Sequence, residues 1–104
     1  MFKRNTLITK GVQEKVDVNL ISWMWQKVQL VNNRQLDYLQ IFELKNVGTK
    51  NGKMLKVTWK QEQPEHIETY YLRGFHCGVT KIWIICSGEE TDYEYSTMLL
   101  PEEY

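Results

Sequence analysis

Proline and cysteine are scarce in this sequence, and long apolar runs are missing altogether. The two prolines, Pro64 and Pro101, are too few to form a Pro-rich spacer, and the six glycines fall singly. No linker therefore divides the 104 residues, which are expected to form one domain spanning 1–104. Two cysteines, Cys77 and Cys86, cannot build a disulfide scaffold and are expected to be reduced thiols. No run of about eighteen apolar residues occurs, and the opening MFKRNTLITKGV lacks a signal-peptide core. A soluble cytoplasmic protein without membrane contact is expected. A chain this short also builds a modest core, with little depth for an enclosed substrate pocket. A phosphate-binding loop is absent too: GTKNGK lacks the G-x4-G-K-[ST] spacing and reads as a hairpin turn.

What is present is charge, sorted by position. Residues 1–60 carry eleven Lys/Arg against four Asp/Glu, a net of +7, and residues 61–104 carry two against nine, a net of −7. The total of zero conceals a dipolar chain, and such asymmetry bears on partners and not on fold. Four tryptophans and six tyrosines accompany it. These residues supply buried area to a small core and anchors to a binding surface.

Residues 6–12, TLITKGV, read as an opening strand closed by Gly11. Asp17 is placed to cap a helix over 18–31. Its stripe is Leu20, Ile21, Met24, Trp25, Val28 and Val31, with Trp23, Gln26, Lys27 and Gln29 turned away. From Tyr38 the apolar period drops to two. Strands over 38–47 and 53–60 flank Asn51-Gly52, a strong hairpin signal. Pairing about that turn sets Leu44 opposite Trp59 and Glu43 opposite Lys60. Phe42, Leu44, Leu55, Val57 and Trp59 then share one face, and Glu43, Lys45, Lys56, Thr58 and Lys60 the other. Further strands follow at 67–73, at 79–86 (VTKIWIIC, read as a central strand buried on both sides) and at 93–100. The sum is α+β: one amphipathic helix on a curved, mainly antiparallel sheet of about six strands. A partly closed small barrel plugged by the helix is the alternative.

Three stretches, ITKGV at 8–12, DYLQIFEL at 37–44 and LLPEEY at 99–104, resemble the domain of unknown function 960 family. These are small proteins of Gram-positive bacteria, their phages and mobile genetic elements. The resemblance implies an accessory role in that setting and assigns no activity to any residue.

Site chemistry is sparse. His66, His76, Cys77 and Cys86 follow an H-x9-H-C-x8-C spacing, without the close ligand pairs of a structural zinc site, so no metal is expected. A Cys77–His66 catalytic pair lacks an orienting third residue. The acidic pairs Glu89-Glu90 and Glu102-Glu103 sit in a turn and at the tail, where solvated charge is the simplest account. No cofactor is expected. Two binding surfaces stand out. Lys45, Lys50, Lys53, Lys56 and Lys60 lie along one β-ribbon, a footprint for non-specific nucleic-acid binding, although the ribbon itself offers no outward aromatic to stack a base. Glu89, Glu90 and Asp92, with Tyr93 and Tyr95, form an acidic-aromatic hairpin suited to a protein partner. The leading expectation is a non-enzymatic interaction protein that meets a protein through the acidic hairpin, with the lysine ribbon and nucleic acid as the alternative. The opposed halves also allow head-to-tail self-association at low salt.

Overall fold

The computed structural model describes residues 5–29, 39–48, 50, 52–62, 65–89 and 92–104, with 5–6, 29, 86–89 and 92–95 given by their backbone. The order is β1 (Asn5–Ile8), α1 (Lys10–Lys15), α2 (Val18–Gln29), β2 (Leu39–Asn46), β3 (Met54–Gln61), β4 (His66–Arg73), β5 (Lys81–Glu89) and β6 (Asp92–Leu99), ending in a 3-10 turn at Pro101–Glu103. The strands form one sheet ordered β1-β6-β5-β2-β3-β4. β1 is parallel to β6, and the other neighbouring pairs are antiparallel. The ends, β1 and β4, do not pair with each other. The fold is therefore the open α+β sheet and not the barrel.

α2 forms where the 3.6-residue period places it as far as Gln29, and Val31, the last expected stripe position, lies outside the described residues. Asp17 Oδ1 accepts the Asn19 N–H at 2.7 Å, satisfying one of the unpaired donors of the first turn. Leu20, Ile21, Met24 and Val28 bury their side chains against Phe42, Leu44, Leu55, Val57, Trp59, Ile82, Ile84 and Met98. One polar chain threads this core. Trp59 Nε1 donates to Gln40 Oε1 at 2.8 Å, and Gln40 Nε2 donates to Gln61 Oε1 at 2.8 Å. The amides thus meet the rule that buried polar groups are paired. Trp23, expected to face away, is half-buried instead, edge-to-face on Tyr70 at 5.1 Å. Lys27 Nζ sits 4.4 Å from the Tyr70 ring and 5.4 Å from the Trp23 ring, pinning α2 to β4.

Three further expectations change. The opening strand stops at Ile8, and Gly11 lies inside α1 instead of ending a strand. The cause is a latch from the far end of the chain. The Glu103 carboxylate accepts the Thr9 hydroxyl at 2.5 Å, the Gly11 N–H at 3.0 Å and the Leu100 N–H at 2.9 Å. A Cβ on Gly11 would lie 2.6 Å from Glu103 Oε2, so a larger residue there would push the carboxylate aside. The second change is the hairpin register. Phe42 faces Trp59, Leu44 faces Val57 and Glu43 faces Thr58. Val47 N–H bonds the Met54 carbonyl at 2.9 Å, so the connection is longer than a two-residue turn, and Gly52 occupies φ 125° within it. The two-residue offset keeps every side chain on its expected face. Third, β5 is central but not buried on both sides. Ile82 and Ile84 are fully buried, while Trp83 and Ile85 are half-buried and Lys81 is exposed.

The latch predicts an acid sensitivity. Hydrogen bonds from the Thr9 hydroxyl, then from Leu100 N–H, hold the Glu103 carboxyl below its ordinary value of 4.5. A depressed carboxyl stabilises the fold in its ionised form. Its contribution is complete above the ordinary value and is lost as pH falls below 4.5 through the lowered one. Glu103→Gln is therefore expected to lower Tm at neutral pH, with the gap to the natural protein closing in acid. Thermal melts across pH 3–7 check it, and a gap independent of pH would contradict it.

Candidate functional site

Strand alternation gives the sheet two unlike faces. The even-numbered positions of β2, β4 and β5, with the odd-numbered ones of β3, point to the helices. The opposite face has no helix over it among the described residues. Its side chains fall in rows fixed by the register. One row runs Trp83–Ile41–Lys60–Ile67, the next Lys81–Glu43–Thr58–Thr69, and a third Lys45–Lys56–Tyr71.

Charge on this face is mostly positive. Glu43 pairs with Lys60 at 3.1 Å and lies 3.9 Å from Lys81, so one carboxylate is shared by two ammonium groups. Lys45 and Lys56 stand directly opposite each other. Like charges at opposed positions cost stability, so this pair invites an anion. Tyr71, 59% exposed, adjoins Lys56 across β3 and β4. Trp83 contacts Tyr104 edge-to-face at 5.9 Å, and Tyr104 is 82% exposed. Trp83 Nε1 is buried without a hydrogen-bond partner among the described residues. Around it lies an open depression of about 770 Å³, floored by Ile41, Trp83 and Ile67 and rimmed by Lys60, Lys81 and three glutamates.

The structure thus joins Lys45, Lys56 and Lys60 on one face, with Lys50 and Lys53 exposed at the hairpin end. It also supplies the aromatics that the ribbon lacks, from β4, β5 and the C-terminus. Sequence reasoning missed Lys81, Tyr71, Trp83 and Tyr104 as part of the surface. Their strands join it through pairings remote in sequence, and only the odd-position alternation within each strand hinted at them. The acidic hairpin is described by its backbone, with Glu89 opposite Asp92 and a register irregularity between Ser87 and Glu89. Glu90 and the side chains of Glu89, Asp92, Tyr93 and Tyr95 lie outside the described residues.

His66, Glu68, Tyr70 and Cys77 lie away from this face or bond to their neighbours. On the helix face Glu68 accepts the Tyr70 hydroxyl and pairs with His66 Nε2 at 2.5 Å. The Tyr70 bond, ahead of His66, keeps Glu68 below its ordinary value against the effect of burial, and burial with Glu68 pushes Tyr70 up to about 12. Cys77 is buried, with its backbone bonded to the Asn46 amide at 2.7 and 3.0 Å, and burial pushes its thiol up. His66 begins β4 and Cys77 follows its end, so the strand holds them roughly 20 Å or more apart at about 3.3 Å per residue. Among the described residues no three His, Cys, Asp or Glu side chains gather as metal ligands. The Cys86 side chain lies outside the described residues.

Comparison with known proteins adds kinship. The sequence model of a family described as "Staphylococcal protein of unknown function (DUF960)" matches residues 5–103, and the chain belongs to that family. No curated protein matches. A crystal structure of a protein of unknown function from Enterococcus faecalis is similar, with a TM-score of 0.78 at 20% identity, covering 100% of this chain and 93% of that one. That likeness concerns the fold. Among the described residues no helix is long and apolar enough to cross a membrane.

Proposed function

We propose that this member of the DUF960 family is a non-enzymatic protein that binds single-stranded nucleic acid through the open face of its sheet. The observation that carries the reading is the opposed pair Lys45–Lys56 beside exposed Tyr71, on a face where Lys60 and Lys81 share one carboxylate. Lysines neutralise phosphates as point charges, and aromatic rings accept bases of any sequence, so binding without sequence preference follows. Single strands are favoured over duplex for a geometric reason. β2 and β3 lie inside the sheet, flanked by β5 and β4, and present no free two-stranded ribbon to a major groove. A cytoplasmic role on a phage or mobile element, beside replication or defence proteins, completes the reading.

Fluorescence anisotropy with a labelled oligonucleotide tests it. Affinity for the single strand is expected to exceed that for the matching duplex. It should fall with salt at a log–log slope of about −3, corresponding to roughly four lysine–phosphate contacts. Equal duplex binding, or no binding at low salt, would refute the proposal. Capture of a protein that is abolished by reversing Glu89, Glu90 and Asp92 would favour the acidic hairpin instead.

A further inference from the structure

From the outer edge of β4 we infer that the protein forms a two-fold dimer by pairing β4 with β4 of a second copy. β4 ends the sheet, and its outer edge has no partner strand among the described residues. Sheet edges are normally blunted by Pro, Lys, bulges or short length. The opposite edge, β1, is four residues long, whereas β4 runs eight with an unbroken register to β3. HIETYYLR contains no Pro, Gly or Lys.

The backbone identifies the groups on offer. Gly74 N–H bonds the Lys53 carbonyl at 2.8 Å, so by antiparallel alternation the even residues of β4 bond β3. The N–H and C=O groups of Ile67, Thr69, Tyr71 and Arg73 then point outward. A two-fold axis normal to the sheet keeps both helix layers on one side and pairs odd residues with odd. Centred on Thr69, it sets Ile67 against Tyr71 of the second copy and Glu65 against Arg73, each pair occurring twice. Ile67 and Tyr71 are 56% and 59% exposed, and Glu65 and Arg73 are exposed as well. Apolar and oppositely charged cross-strand pairs both stabilise a sheet. The same surface meets itself, giving a closed dimer, unlike the head-to-tail attraction expected from the charged halves. Two open faces would then run side by side as one surface. The inference does not depend on what that surface binds, because its test reads mass.

Sedimentation equilibrium on the full chain is expected to give the dimer mass. Thr69→Pro removes an outward N–H that β3 does not use, a substitution edge strands tolerate, and should give a folded monomer. Thr69→Lys sets two ammonium groups on the axis and should do the same without altering the backbone. Glu65→Arg and Arg73→Glu should each weaken association about tenfold or more, and the double exchange should restore it. A natural chain that stays monomeric, a dimer that survives both Thr69 variants, or an exchange that fails to restore association would overturn the inference. Circular dichroism confirms that each variant is folded.

Discussion

Trp59→Ala is expected to lower folding stability by about 3–5 kcal/mol, the usual range for deleting a buried indole. The ring is 2% exposed and stacks on Phe42 at a centroid separation of 5.9 Å, with interplanar angle 8°. Its loss opens a void under α2 and takes the donor from Gln40 Oε1, a residue fully buried. The lost buried hydrogen bond adds to the cavity cost. Domains of this size hold about 5–15 kcal/mol in total, so the variant should sit close to the unfolding threshold. Urea titration measures it, and a shift under about 1 kcal/mol would place the ring outside the core. Trp59→Phe keeps most of the volume and should lose less.

Simultaneous Lys56→Glu, Lys60→Glu and Lys81→Glu should abolish oligonucleotide binding near physiological salt. At low salt the log–log slope is expected to flatten from about −3 to about −1, since each lysine lost removes roughly 0.7 from its magnitude. Stability should stay within about 1 kcal/mol, because the ion pairs of Glu43 are exposed and worth little. The Lys56 exchange also removes the like-charge contact with Lys45. The pattern of lost binding with retained stability separates a binding role from a solvating one. Unchanged binding would assign the lysines to solubility alone.

Much of this architecture is visible in the sequence because its signals are local. The stripe from Leu20 to Val28 and the alternation from Phe42 to Trp59 each state their own period, and parity survives a register error of two. What escapes is non-local. α1 is six residues long, too short to display a period, and besides its local cap Thr9 it is held by Glu103 from 92 residues away. The run VTKIWIIC reads as buried on both sides because Trp83 and Ile85 are apolar, yet no described helix covers them. The same non-locality explains the candidate site, whose lysines are legible in one hairpin while Tyr71 and Tyr104 join them only through strand order and the C-terminal turn. The stretches that carry the family resemblance turn out to be structural. Thr9, Gly11, Leu100 and Glu103 build the latch, and Gln40, Phe42 and Leu44 build the core. A family signature of this kind marks a fold and leaves its task unnamed.

That the open face is where this protein meets its partner is tested most directly by NMR. Amide and indole shifts of a labelled sample are followed while a short single-stranded oligonucleotide is added. The account predicts changes at Ile41, Lys56, Lys60, Tyr71 and the Trp83 indole, with α2 unmoved. Changes confined to residues 89–95, or spread over the helix face with the open face silent, would contradict it.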